Sequence, residues 1–315
     1  MKKFFFALLL FSVMIFHARS VYAEANQGGL TLSPMFQEIA LKQTDQQKFF
    51  SVSLTNNTDA ILTLHLSLLD FGSLDESGGV AFLGASNDLE KKYALSSWMR
   101  PEKDTVILQP GESQNVKVTI ENRDSLAPGG HYGAVVFKAG DDADDPSATN
   151  RVAVNQLFSM LVFVKKIGGE IYSLDLKGEE YKQNIFAFPK MLELRFGNSG
   201  NVHIVPRGTV TITDPLKRVV SKGIINEESG LILPESIRVY PARLNQLAFS
   251  FVPGRYTMKI DYRYDGREDF TTVTRQFNFI PPMTIAAILA LAVMGGWFAM
   301  RRRRQNRDKS PRESI

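Results

Sequence analysis

Along most of the chain, apolar and polar residues alternate one for one. Phe50, Val52 and Leu54 alternate with Ser51, Ser53 and Thr55, and Leu62, Leu64, Leu66 and Leu68 with Thr63, His65 and Ser67. Val116, Val118 and Ile120 alternate with Asn115, Lys117 and Thr119. Successive side chains of a strand point to opposite faces, so each run predicts a strand with one face on a core and one in water. Turn-forming clusters separate the runs: Asn56-Asn57-Thr58-Asp59, Ser77-Gly78-Gly79, Pro110-Gly111 and Pro128-Gly129-Gly130. The alternation restarts after Gly168-Gly169, with Leu192, Leu194 and Phe196, then Val210 and Ile212, then Tyr256, Met258, Ile260 and Tyr262, and finally Phe277 and Phe279. This pattern predicts an all-β fold of two tandem antiparallel sandwiches, residues 24–166 and 167–280.

Two departures from the alternation matter. Residues 156–164 are apolar on both faces. Such a strand is either central to a core, or a strand that pairs with a partner's exposed sheet through Phe158, Met160 and Val162. Residues 283–300 carry no charge at all. As a helix that run is about 27 Å long, close to the ~30 Å of a bilayer's hydrocarbon. It predicts a transmembrane helix over 281–300, with Trp297 as an interfacial anchor. Arg301, Arg302, Arg303 and Arg304 follow directly, which places the basic tail, 301–315, in the cytoplasm by the positive-inside rule.

The start of the chain agrees with that orientation. Lys2 and Lys3 precede an apolar stretch over 4–16, and Val21-Tyr22-Ala23 is a small-x-small site, so residues 1–23 read as a cleaved signal peptide. The expected product is a single-pass type I membrane protein with its N-terminal sandwiches extracellular. Charge takes a different meaning in this light. The whole chain is basic, net +4 with a pI near 9.1. Ten of its 37 basic residues and two of its 33 acidic ones lie in the two ends, leaving 27 against 31 outside, a net of −4. Nucleic acid is therefore not an expected partner, and the tail arginines read as a topology signal that meets anionic lipid. The absence of cysteine rules out disulfides, so each sandwich relies on its core, and a bacterial cell-surface origin fits.

The two halves echo each other. Leu54-Thr55-Asn56-Asn57 in the first corresponds to Phe196-Gly197-Asn198-Ser199 in the second, and each half has a late Pro-Gly turn leading to a tyrosine, Tyr132 or Tyr256. That tyrosine is placed like the corner tyrosine of immunoglobulin-like sandwiches, so both halves are read as Ig-like. The first half adds Leu32-Ser33-Pro34, Leu68-Leu69-Asp70-Phe71, Leu108-Gln109-Pro110-Gly111-Glu112 and Ala127-Pro128-Gly129-Gly130-His131-Tyr132-Gly133. Together with the order of signal, two sandwiches, helix and basic tail, it resembles bacterial WxL-interacting-type surface proteins. Their N-terminal module is itself similar to the Ig-like domain of periplasmic pilus chaperones. The resemblance implies a surface-anchored protein that binds a wall-associated protein or polysaccharide. No paired basic residues match the chaperones' carboxylate-anchoring site, so that role is not carried over.

Catalytic chemistry is sparse. His65, His131 and His203 lie in separate strands or turns without metal-ligand spacing, and no nucleophile elbow or phosphate-cradling loop occurs. His131 is expected to hold a turn, and Trp98 to lie in the core. The acids Asp141, Asp142, Asp144 and Asp145 crowd one loop but lack the spaced order of a calcium loop, so a solvated hairpin tip is expected. Asn56-Asn57-Thr58 is a formal glycosylation sequon, incidental in a bacterial protein. The chain is thus expected to be no enzyme and to need no cofactor or metal. Its leading reading is a surface binding or adaptor protein. The alternative is a membrane-tethered chaperone that pairs with exported clients through 156–164, and the third is a hydrolase with an interdomain site.

Overall fold

The computed structural model describes residues 29–83, 91–139, 156–182 and 184–307. The expected signal peptide, the acidic run at Asp141 and the last residues of the tail lie outside them. The first unit is built from β1 (Leu30–Ser33), β2 (Phe36–Leu41), β3 (Gln47–Asn56), β4 (Leu62–Ser73), β5 (Val80–Leu83), β6 (Met99–Pro101), β7 (Thr105–Leu108), β8 (Ser113–Glu121), β9 (Gly129–Ala139) and β10 (Gln156–Lys166). One sheet runs β1-β3-β8-β6; the other runs β2-β10-β9-β4-β5, with β7 also on β4. The alternation explains the layers. Phe50 lies opposite Val118 and Val52 opposite Val116, all four buried, while Ser51 and Lys117 between them face water. Val135, Phe137, Met160, Val162 and Val164 supply the facing half of the core.

One pairing departs from the antiparallel expectation. β2 lies parallel to β10, with Phe36 against Leu161 and Leu41 against Lys166. Pro34 separates β1 from β2, and the chain passes there from one sheet to the other. A strand that changes sheets reaches a distant neighbour in either direction, and the 114 residues between β2 and β10 satisfy the long connection that parallel pairing needs.

The second unit comprises β11 (Leu174–Glu180), β12 (Met191–Asn198), β13 (Arg207–Thr213), β14 (Val219–Ile225), β15 (Ile237–Gln246), β16 (Gly254–Arg263) and β17 (Thr271–Phe279), ordered β11-β12-β15-β14-β13-β16-β17. β15 joins the two layers: its residues 237–243 pair with β12, and Leu244, Asn245 and Gln246 pair with β14. Leu192, Leu194, Phe196, Val210, Ile212, Tyr256, Met258 and Ile260 are fully buried between the layers. Among the described residues one α-helix, α1 (Pro282–Arg307), follows; its segment Pro282–Arg303 is long and apolar enough to cross a membrane and its apolar run is not buried against either unit.

The sequence echo has a structural counterpart at two buried asparagines. Asn56 donates its side-chain amide to the Ala60, Leu108 and Gln109 carbonyls at 2.7, 3.1 and 3.1 Å, and its Oδ1 accepts the Thr58 N–H. Asn198 does the same, donating to Val202 and Ile232 at 2.8 and 3.1 Å and accepting the Gly200 N–H. Each side chain ties a strand end to a carbonyl four residues on and to a segment at least 34 residues away. The sequon asparagine is therefore a buried structural pin.

Candidate functional site

β9 has both faces buried, which alternation alone does not require. One face lies in the first core. The other carries Tyr132, Ala134 and Val136 into a small apolar cluster with Phe71, Phe163 and, from the second unit, Leu233. Phe71, Tyr132 and Phe163 meet with ring centroids 5.2–5.9 Å apart, mostly edge to face. Burial pushes the Tyr132 phenol well above its ordinary pKa, so it stays protonated and donates to His203 Nδ1 at 3.3 Å. His203 Nε2 in turn donates to Glu38 Oε1 at 2.9 Å. This bond to His203 holds the Glu38 carboxyl below its ordinary value of 4.5. Gly130 belongs to the same contact: a Cβ there would run into the Tyr132 hydroxyl and the Asn201 carbonyl oxygen. Its N–H donates to that carbonyl at 2.7 Å.

Beside this cluster lies a cavity of about 510 Å³ between the units, lined by Asp70, Asp75, Glu76, Tyr93, Glu235 and others. It is the place where an interdomain hydrolase would have its carboxylates, but these acids are committed to structural bonds. Asp70 accepts the Leu95 and Ser96 N–H groups at 2.7 Å each and the Ser96 hydroxyl at 2.8 Å. Glu76 pairs with Arg195, and Glu235 accepts from Lys92 at 2.7 Å and the Tyr93 hydroxyl at 2.8 Å. The cavity is a seam pinned by ion pairs and hydrogen bonds. Among the described residues, no group of three or more His, Asp or Glu side chains converges as a metal would need.

Further along the same outer face the second unit no longer covers the sheet. β10 outruns β2 there. The Leu161 N–H donates to the Met35 carbonyl, and parallel pairing runs from Leu161 to Lys166. From Gln156 to Met160 only β9 pairs with β10 among the described residues. Backbone groups of alternate residues point to the same side of a strand. The N–H and C=O groups of Leu157 and Ser159 therefore point the same way as those of Leu161, towards an edge that no described strand pairs with at these positions. The side chains around this edge are apolar and open: Leu157 is 68% exposed, Met35 72% and Phe36 64%. An unpaired edge flanked by exposed apolar groups is a template for a further strand.

The residues singled out in the sequence fall as follows. Met160 and Val162 are fully buried and Phe158 packs against the same core. These side chains face the first core, and what β10 offers outward is its edge and the opposite-parity Leu157. His131 holds a turn as expected, with Nε2 2.8 Å from the Ala127 carbonyl and Nδ1 3.1 Å from that of Ala94. Trp98 packs against the first core with its ring 6.1 Å from that of His131, and His65 lies on the outer face near Thr105. Trp297 is exposed on α1 with the Arg301 guanidinium 5.3 Å from its ring; Arg302 and Arg303 are exposed, and Arg304 continues the helix. Tyr256 is a corner tyrosine, donating to the Val252 carbonyl at 2.6 Å, whereas Tyr132 is not, because its hydroxyl crosses to the other unit. Glu38, Met35, Phe36 and Leu157 have no distinguishing mark in the sequence, and His203 stands out there only as a histidine without metal-ligand spacing. The parity of Leu157 within a strand apolar on both faces was the available signal.

No family model and no curated protein matches this chain, so the resemblance to WxL-interacting-type proteins gains no support from either comparison. Solved structures similar to it include the chaperone–tip adhesin complex of CFA/I fimbriae, at 14% identity and a TM-score of 0.42, covering 80% of this chain and 99% of that one. The class 5 fimbrial chaperone CfaA gives 13% and 0.38 over 80% and 100%. The Salmonella enterica SafB chaperone with SafA pilin gives 9% and 0.37 over 80% and 96%. At these scores the similarity is loose.

Proposed function

We propose that this chain is a membrane-anchored, non-enzymatic binding module that takes up an exported protein by adding a strand of that protein to the open edge of β10. The observation that carries this reading is the overrun of β10 past β2, which leaves the backbone of Leu157 and Ser159 without a described partner beside exposed Met35, Phe36 and Leu157. Main-chain hydrogen bonds supply affinity in such a contact, and the apolar flank favours a strand with an apolar side chain at every second position. In this reading α1 spans the membrane, both sandwiches stand outside and Arg301–Arg304 lie in the cytoplasm, as the arginines directly after the apolar run support.

A photo-crosslinking residue at Leu157 in the full chain, in native membranes, tests the proposal. Crosslinks to an exported protein are expected from position 157, and few from Asp59, an exposed turn residue. If the captured protein is a folded wall component, the module is an adaptor; if it is an incompletely folded client, the module is a chaperone. Equal, diffuse crosslinking from both positions would overturn strand addition.

A further inference from the structure

The end of the second sandwich that meets α1 carries a second apolar surface. Leu216, Leu247, Phe249 and Phe251 are 62%, 59%, 70% and 52% exposed, and Ile185 and Phe186 are 44% and 51% exposed. They come from three separate loops. The Asp214-Pro215-Leu216-Lys217 turn lies beside Gly254, where a Cβ would come within 3.1 Å of Pro215 Cγ, and Gly254 pairs with Phe279 just before the helix. The loop after β15 supplies Leu247, Phe249 and Phe251, whose two phenyl rings lie 6.1 Å apart. The loop between β11 and β12 supplies Ile185 and Phe186.

Two of these loops are bonded to the entry of the helix. The Ile280 N–H donates to the Ile185 carbonyl at 2.7 Å, and the Thr284 hydroxyl donates to the Phe251 carbonyl at 2.6 Å. Thr284 lies in the first turn of α1. Any bilayer that α1 crosses therefore begins within a hydrogen bond of Phe251 and one residue from the anchor of Ile185. Lys182, Lys190 and Lys217 are exposed in or beside the same loops. Exposed aromatic and aliphatic groups next to lysines, at the depth where a span enters, match the chemistry of the headgroup region: apolar rings partition below the headgroups and ammonium groups meet phosphates. A soluble sandwich has no use for these side chains in water, whereas the lipid surface is already in place to cover them.

We infer that this end of the second sandwich is seated in the lipid headgroup region, so that the sandwich is docked on the bilayer and does not swing on a flexible stalk. The inference rests on the reading of α1 as a membrane span. The occupant is the lipid surface through which α1 enters, because that surface is the one partner whose position the bonds at Ile280 and Thr284 fix.

The chain contains no cysteine, so a single introduced cysteine takes one spin label. Full-length F249C and I185C, labelled and reconstituted in vesicles of neutral and anionic phospholipid, are compared with L291C in mid-helix and D59C in the first unit. The measured quantity is accessibility to lipid-soluble oxygen relative to a water-soluble nickel chelate. The expected order is Leu291 deepest, positions 249 and 185 both several-fold more oxygen-biased than position 59, and position 59 fully aqueous. If Leu291 itself proves aqueous, the membrane span fails and the docking inference falls with it. If Leu291 is deep in lipid while positions 249 and 185 match position 59, the span stands and the docking is overturned. Reading two loops guards against a local disturbance by either label.

Discussion

The two sandwiches carry the same late Pro-Gly turn and tyrosine but use the tyrosine for different ends. Tyr256 turns back on its own unit and donates to the Val252 carbonyl, closing a corner. Tyr132 reaches out of its unit, donating to His203 and packing with Phe71 and Phe163 against Leu233. The first sandwich thus gives up part of its outer face to hold the second. That contact ends part-way along β10, and the rest of the face stays open beside the proposed strand-adding edge. The second sandwich meets the first with Leu233 and His203, and one group of its exposed apolar side chains, with Phe249, Phe251, Ile185 and Phe186, lies at the end that enters α1. A shared local pattern specifies the strand and turn, while the residues across the contact decide whether the tyrosine serves a corner or an interface.

Mutations that break the shared part of the comparison should have the largest effect, and equally on both sides. Asn56→Ala and Asn198→Ala each leave buried carbonyls without a donor, so each is expected to cost about 3 kcal/mol of the unit that contains it. Urea unfolding followed by a probe in each unit reads this. A loss below about 1 kcal/mol in either unit would show that the two corners are not equivalent.

Mutations at the tyrosines should sharpen the difference. Tyr256→Phe is expected to lower the stability of the second unit alone by about 1 kcal/mol. Tyr132→Phe, of similar size, should instead weaken the coupling between units, seen as two unfolding transitions drawing apart. The smallest expected effect is on pH. Glu38 has a folded pKa below its ordinary 4.5, so the unfolded form binds protons first as pH falls. Its contribution to the contact is present above pH 4.5 and is lost as pH drops through the folded pKa. Glu38→Gln should flatten the acid dependence of the coupling between units in that window, and an unchanged profile would remove Glu38 from the interface.

Much of this architecture was legible because one-sided burial imposes a period of two. β3, β8, β12 and β16 follow Phe50-Val52-Leu54, Val116-Val118-Ile120, Leu192-Leu194-Phe196 and Tyr256-Met258-Ile260 strand by strand. The echo at Asn56 and Asn198 was legible too, since each asparagine follows an alternating run directly. Pairing was less so. Nothing local in Phe36-Gln37-Glu38-Ile39 states that its neighbour is Leu161 and beyond, or that the two run parallel, because register is set by partners distant in sequence. The same limit hid His203 and Glu38, which sit 165 residues apart and meet only across the contact. At the edge of β10, the hydrophobicity of Phe158, Met160 and Val162 is the visible signal, although these pack into the core, the open backbone belongs to Leu157 and Ser159, and the exposed side chain is Leu157.

Strand addition at that edge is tested most directly by residue-resolved amide exchange on the full-length protein in lipid. Leu157 and Ser159 should exchange rapidly, at least ten-fold faster than Leu161, whose N–H is held by the Met35 carbonyl, while Phe158 and Met160 on the β9 side exchange slowly. Protection of Leu157 and Ser159 equal to that of Leu161 would mean that the edge is already filled, and would contradict the proposed function.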